Sequence, residues 1–505
     1  MARGNERAEG IAYGTGPGRW VLAIAVLGSG IVFLDSTVVN VALPRIGEDL
    51  GAETSSLQWI LNGYMLTLAS LILLGGSLGD RFGRRRVFVI GIAWFTVASL
   101  LCAVAPSSEA LIGARLLQGA GGALLTPGSL AMIESSFRPA DRARAIGAWS
   151  GLAGVTTAFG PLLGGWLVEA VTWRAIFLIN IPIGLFVGVM ATRHVPETRD
   201  ADAPERLDGL GALLAAVGLG GVTYALIQAP DDGMSAAIVV AAVAGVLSLV
   251  GFIAQERRSP HPMMPLYLFR SRQFSAANAV TFVVYAALSG VFFLLVAFLQ
   301  VSAGYSPIAA GAASLPVTAL LLVFSARSGA LAQRIGPRIP LTAGPLVIAV
   351  AMVMMGGIDP GGSYLTSVLP AILVFGAGLT LVVAPVTATV LAAADSRHSG
   401  IASGINNAVS RVGGLLAVAV LPLIAGLTGD TFYDPAAMTD GFHTAMYVTA
   451  ALAALGGAIA WLTISSEVLA PGEPDEPTTG EYSCDIAGPP VYPAHREEPA
   501  AARAD

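Results

Sequence analysis

The sequence contains no lysine; all 27 of its basic residues are arginine. Charged residues fill only 12% of 505 positions, far below the share of a soluble chain. Cysteine is nearly absent too. Cys102 lies in an apolar run and Cys484 in a polar tail, so neither a disulfide framework nor a thiolate metal site is expected. His194, His398 and His443 fall in loops or at the ends of apolar runs, without the spacing of metal ligands. No GxxxxGK phosphate loop occurs, so no nucleotide is expected, and no cofactor. The apolar runs carry no nucleophile–base pair or paired metal ligands, which speaks against an enzyme.

What is abundant is apolar. Hydrophobic residues make up 55% of the chain and glycine supplies 60 positions. The charges cluster between apolar runs of about twenty residues, the length that crosses a bilayer core. Fourteen spans are expected, beginning near Trp20, Leu57, Val87, Ala110, Arg144, Trp173, Leu210, Ser235, Phe274, Ile308, Ile339, Leu365, Gly400 and Phe442. The turn Ala229–Gly233 sets the division between the seventh and eighth. Arginines such as Arg81, Arg84, Arg85, Arg86, Arg142, Arg257, Arg272 and Arg338 all fall in alternate loops, while the other loops collect Glu48, Asp49, Asp231, Asp359 and Asp430. By the positive-inside bias both termini are cytoplasmic. The net charge of −6 therefore splits across the two sides and does not point to nucleic acid. The first apolar run is too long for a cleaved signal segment.

A repeat divides the chain. Gly76–Arg85 follows the second span and Gly329–Arg338 follows the tenth, with Gln333 where the first copy has Asp80. Both copies fall on one side, so two six-helix halves run parallel, and the expected fold is an all-α polytopic membrane protein. Its parts are a cytoplasmic N-terminal segment (1–19), a first half (20–193), an inserted helix pair (207–255), a second half (273–466) and a disordered tail (467–505). Two parallel halves with a site between them near the midplane is the plan of a rocking transporter.

Two charges stand inside spans. Asp35 lies about midway along the first, where a charge costs about 2.5–3.5 kcal/mol on insertion scales. It is expected to face a water-accessible cavity; the alternative is a solvated carboxylate nearer the end of the span. Arg115 lies in the fourth span, is always charged, and needs a carboxylate or several acceptors. Asp35 is the plausible acid, whether for proton coupling or as a static ion pair. Polar residues expected to line a cavity or to bond across helices are Gln58, Asn62, Tyr64, Asn278, Tyr285, Gln300, Asn406, Asn407 and Arg411, while Glu134 reads as interfacial.

The motifs then resemble a family. Gly76–Arg85 resembles the loop signature of the major facilitator superfamily, and Leu34–Pro44 the first-helix motif of its fourteen-span drug:proton antiporters. Arg115–Gly122, Phe159–Gly165 and Trp173–Gly184 agree with this, while Thr156 stands where the antiporter motif usually has glycine. The resemblance implies proton coupling through Asp35 and Arg115, and a cytoplasmic latch at Asp80, Arg81 and Arg84 that pairs with the opposing half in one state and breaks in the other. It also implies a helix hinge and close packing at Gly160, Pro161, Gly164 and Gly165; packing alone is the plainer alternative. The implied function is proton-driven export of a lipophilic drug or antibiotic across a bacterial cytoplasmic membrane, by a monomer whose partners are small substrates, protons and lipid. A dedicated exporter of an endogenous metabolite or lipid, or a non-transporting receptor, are the alternatives. The lack of further acids in spans nine to fourteen favours neutral or weakly charged substrates.

Overall fold

The computed structural model describes residues 10–200, 207–394 and 399–469, apart from a few side chains within 143–158 and at 232 and 399. Among them the backbone is helical, and one isolated bridge joins Ile11 to Phe137. The long helices are α1 (Gly16–Leu50), α2 (Thr54–Phe82), α3 (Arg84–Ala103), α4 (Ser108–Ser136), α5 (Pro139–Ala170), α6 (Ala175–His194), α7 (Gly209–Asp232) and α8 (Ala236–Arg258). Then come α9 (Arg272–Val301), α10 (Pro307–Ile335), α11 (Arg338–Met355), α12 (Tyr364–Ala392), α13 (Ser399–Ile424) and α14 (Pro435–Thr463). By length and composition 13 of them can cross a membrane. The helix outside that set, α5, has 32 residues.

Several helices start a turn or more before the apolar run does, because a polar cap lies further out. Asp434 accepts the Ala436 and Ala437 amides at 2.8 and 3.0 Å, so α14 begins at Pro435 instead of near Phe442. The turn between α7 and α8 lies at Gly233, whose φ of 65° favours glycine. The tail, Cys484, His398 and the ends of the polar loops fall outside the described residues.

The outer surface is apolar, as a lipid-facing surface must be. Trp94, Val97 and Leu101 on α3, Leu185 and Val189 on α6, Val240, Val243 and Leu247 on α8, and Val350 and Val353 on α11 are all exposed. The pair α7–α8 lies beside the seam between α2 and α13, where Leu66, Leu219 and Leu415 meet.

Helices α1–α6 and α9–α14 form two groups, and they are joined unevenly. All hydrogen bonds between them among the described residues lie toward the face opposite Ile11 and Ser466, called here the far face. Gln58 Nε2 donates to Val418 O at 2.7 Å, Gln300 Nε2 to Val41 O at 3.0 Å, and Thr54 Oγ1 to Gly429 O at 2.7 Å. The Ile308 amide donates to Glu169 at 3.2 Å, and Tyr433 OH to Ala52 O at 2.7 Å. Burial beside Glu48 and Asp430 pushes the Tyr433 phenol up to about 12, so it remains a donor at physiological pH. Glycines make the approach possible. A Cβ at Gly165 would fall 2.4 Å from Pro307 O, one at Gly311 2.1 Å from Pro161 O, and one at Gly47 1.7 Å from the Tyr433 hydroxyl. Outside this seal a cavity of about 860 Å³ is lined by Arg45, Glu48, Glu169, Gln300, Asp430 and Tyr433, among others.

A side chain at Gly47 should therefore push Tyr433 off and part the far face. In a Cys484→Ser background, a cysteine at the buried Ala52 should react with maleimide at least tenfold faster when Gly47→Leu is added. Equal rates would place the seal elsewhere.

Candidate functional site

Four helices of the first group converge on one carboxylate. Arg115 and Gln118 stand three residues apart on α4 and so share a face. They meet Asp35 of α1, Ser99 of α3 and Asn180 of α6. The Arg115 guanidinium donates through Nη1 to Asp35 Oδ2, and through Nε to Ile60 O at 3.0 Å. Gln118 Nε2 donates to Asp35 Oδ1 at 2.8 Å and to Ser99 Oγ at 2.8 Å, while its Oε1 accepts from Arg115 at 2.6 Å. Asn180 Nδ2 donates to Asp35 Oδ1 at 3.1 Å. The guanidinium also lies 4.2 Å from the centroid of the Tyr64 ring and 5.8 Å from that of Phe177. Asp35 is 2% exposed, and Arg115, Gln118 and Asn180 are fully buried.

The sequence expectation that Asp35 faces a water-accessible cavity is thus corrected for this conformation. Positions 33 and 35 stand about 200° apart around a helix. Phe33 turns toward the second group, where Arg411 lies over its ring; Asp35 turns into its own bundle. Three donors draw it there, and a buried ion pair tolerates desolvation only when such bonds surround it.

The loop motif makes its contacts within the first group. Asp80 pairs with Arg84 at 2.9 Å, and Arg85 with Glu197 at 3.5 Å, both within the first group. Arg81 lies over the ring of Phe82. Among the described residues no pairing with the opposing group is made in this conformation. The start of α3 has its own carboxylate. That is Glu197, which accepts the Arg85 and Arg86 amides at 3.1 and 3.2 Å, where a helix N-terminus favours an anion. Gly83, with φ of 110°, makes room for it: a Cβ there would meet Glu197 at 2.6 Å. The second copy keeps the geometry with different chemistry, since Gly336 has φ of 81° and a Cβ there would strike Ser466 O.

In α5, a Cβ at Gly160 would fall 2.0 Å from Thr37 Oγ1, and one at Gly164 3.1 Å from Val38, so both glycines pack on α1. Gly165 and Pro161 pack on α10 in the other group. The helix is continuous through Pro161.

The residues expected to line a cavity divide. Gln58 is an inter-group tie, and Tyr64 is buried beneath Arg115 with its hydroxyl donating to Val32 O at 3.1 Å. Asn62 is fully buried with neither amide atom bonded. Asn278 is buried, and its Oδ1 accepts from Asn406 at 3.2 Å. None of these four reaches open space in this conformation. Tyr285, Asn406 and Asn407 are half-buried. Residues that sequence reasoning passed over are Ser99, Gln118, Asn180 and Glu197. Gln118 and Asn180 were signalled by being polar at depth.

Apolar spanning helices in two groups, a seam sealed on one face and an ion pair enclosed in one group define a polytopic membrane protein of the two-bundle transporter type. The chain belongs to the Major Facilitator Superfamily, which it matches over residues 25–418. It is 37% identical over 417 residues to a tetracenomycin C resistance and export protein of Streptomyces glaucescens, covering 82% of this chain and 77% of that protein. It is 35% identical over 450 residues to a methylenomycin A resistance protein of Bacillus subtilis strain 168, covering 88% and 94%. The crystal structure of the POT family transporter PepTSo shares the fold, with a TM-score of 0.64 at 17% identity over 88% of this chain and 97% of that one.

Removing one member of the buried pair should leave the other charge uncompensated. Arg115→Ala should cost about 3–5 kcal/mol, whereas Glu197→Ala, which loses a helix-terminal anion and its partly exposed pair with Arg85, should cost about 1 kcal/mol. Melting temperatures of the detergent-purified variants would check the order. Equal losses would mean that Arg115 is not enclosed as described.

Proposed function

We propose that this protein is a proton-coupled exporter of lipophilic drugs or antibiotics, working as a monomer by alternating access in a bacterial cytoplasmic membrane. In this reading α5 is a fourteenth span. Helices α1–α6 and α9–α14 are parallel halves, α7–α8 is an inserted pair, and both termini are cytoplasmic. The relatives named for resistance and export support it. The observation that carries it is the Asp35–Arg115 pair, a titratable carboxylate sealed among α1, α3, α4 and α6 while the far face is closed. With the arginine-rich loops in the cytoplasm, the closed far face is the outer one and the protein is inward-facing.

The cycle follows from the bonds around Asp35. Ionised, it holds α1 to α4 through Arg115 and to α6 through Asn180. A proton reaching Asp35 from outside removes the charge that Arg115 and Asn180 hold, so α1 is freed to move against its own bundle and against Gly160 and Gly164. Reopening to the cytoplasm restores the pairing and expels the proton inward. Each proton entering down 100 mV releases about 2.3 kcal/mol. Asp80, Arg81 and Arg84 serve as the cytoplasmic latch that pairs across the halves in the opposite state. Pro161 is the point at which α5 bends. Tyr285, Asn406 and Asn407 contribute to the substrate cavity. The second reading, a dedicated exporter of one metabolite, is favoured by relatives named for single antibiotics.

Efflux of antibiotics and dyes from cells expressing wild type and Asp35→Asn at matched levels, with and without an uncoupler, tests this. Export should fall to the background of empty cells in the variant and in uncoupled cells. Export surviving both would remove Asp35 from the mechanism. Substrate that binds but drives no proton movement in vesicles would favour a receptor.

A further inference from the structure

Charge at membrane depth is divided unequally between the two groups. In α1–α6 the buried cation Arg115 has its own carboxylate in Asp35. In α9–α14 a single charge stands near mid-span, Arg411, close to the middle of the 26-residue α13. Helices α9 to α13 contain no aspartate or glutamate, and α14 has only Asp440, exposed near the far face. Among the described residues Arg411 makes no ion pair and no hydrogen bond. Its specific contact is the ring of Phe33 across the seam, 5.7 Å from the centroid. Its field also reaches the phenols of Tyr285 and Tyr64.

A guanidinium cannot shed its charge, so the protein has placed a permanent cation between the two groups without a carboxylate to balance it. Arg411, Phe33, Tyr285 and Asn407 are all half-buried, unlike the polar residues packed deeper in the bundles. Asn407 stands one helical turn from Arg411 on the same face. The planar fork of the guanidinium matches a carboxylate in bidentate fashion, and the Phe33 ring offers flat apolar surface for an aromatic body. Arg115 shows what such a cation takes when an acid is near. At Arg411 that place is left for a ligand.

We propose that Arg411 is the anion-recognising group of the substrate site and that the cargo is a lipophilic aromatic monoanion bearing a carboxylate or acidic phenol. This rests on the exporter reading above and narrows it. It also narrows the expectation of neutral or weakly charged substrates drawn from the missing acids: their absence leaves one positive charge, not a neutral cavity.

Binding to detergent-purified protein separates this inference from the transport reading. The probes are 2-anthracenecarboxylate and its primary amide, alike in shape and differing in charge, followed by fluorescence. Wild type should bind the carboxylate at least tenfold more tightly than the amide. Arg411→Gln should bring the two within twofold by weakening the carboxylate alone, and Arg411→Lys should keep part of the preference. Equal binding of both probes by wild type, or a preference that survives Arg411→Gln, would overturn the inference. Should Arg411→Gln bind neither probe, Arg411→Lys decides: a kept preference supports the assignment and a lost one refutes it. Arg411-dependent binding without uncoupler-sensitive export would instead mark failure of the exporter reading.

Discussion

The pairing of Asp35 with Arg115 is the constraint around which the first bundle is built. Neither charge is stable alone at this depth, and together they need every remaining lone pair and proton occupied. Ile60 O, Gln118 and Asn180 supply those partners from α2, α4 and α6, and Ser99 of α3 in turn accepts from Gln118 and Asn180. The ring of Tyr64 covers the guanidinium, and its hydroxyl in turn fixes the carbonyl of Val32. A change in charge at one carboxylate is therefore felt in five helices at once. That is the property a coupling residue requires, because an ion can shift a conformational equilibrium only through bonds that differ between the two states.

The seam between the groups is built on a different principle. There is no ion pair across it among the described residues; it is made of backbone acceptors, amide and hydroxyl donors, and glycines that let chains touch. Individual bonds of this kind contribute about 0.5–1.5 kcal/mol net, so the far face is closed by several weak contacts instead of one strong one. Such a seal can open without exposing a buried charge. The strong, all-or-none element stays inside one bundle, and the reversible element lies between bundles.

Much of this was readable in the sequence, for identifiable reasons. That the chain is a set of apolar, span-length helices follows from run length, and the repeat is written in Gly76–Arg85 and Gly329–Arg338; neither needs tertiary information. The partnership of Asp35 and Arg115 followed from charge balance alone. The direction in which Asp35 points did not, because Phe33 and Asp35 are both plausible cavity residues until the helix is rotated into place. The start of α3 shows a similar limit. Asp80 is nearest to α3 along the chain, but Glu197, more than a hundred residues later, accepts the first amides of the helix, where Gly83 leaves room for it. Polar residues at depth, such as Gln58 and Asn278, signal a bonding partner and not whether that partner is water or a neighbouring backbone.

The charge asymmetry between the halves bears on energetics as well as on recognition. The first half holds a balanced pair, so its net charge at depth changes only when Asp35 gains or loses a proton. The second half holds an unbalanced Arg411, whose charge is constant. If the cargo is an anion that neutralises Arg411 on binding, the loaded cavity is electrically neutral and can rock through the low-dielectric membrane without carrying a bare cation. Exchange of one proton inward for one anion outward then moves two charges in the favourable direction, about 4.6 kcal/mol per 100 mV on the same electrostatic scale. A neutral cargo would draw half as much from the potential and would leave Arg411 uncompensated in every cycle. The placement of one unpaired arginine thus links what the cavity binds to how strongly the membrane potential can drive it out.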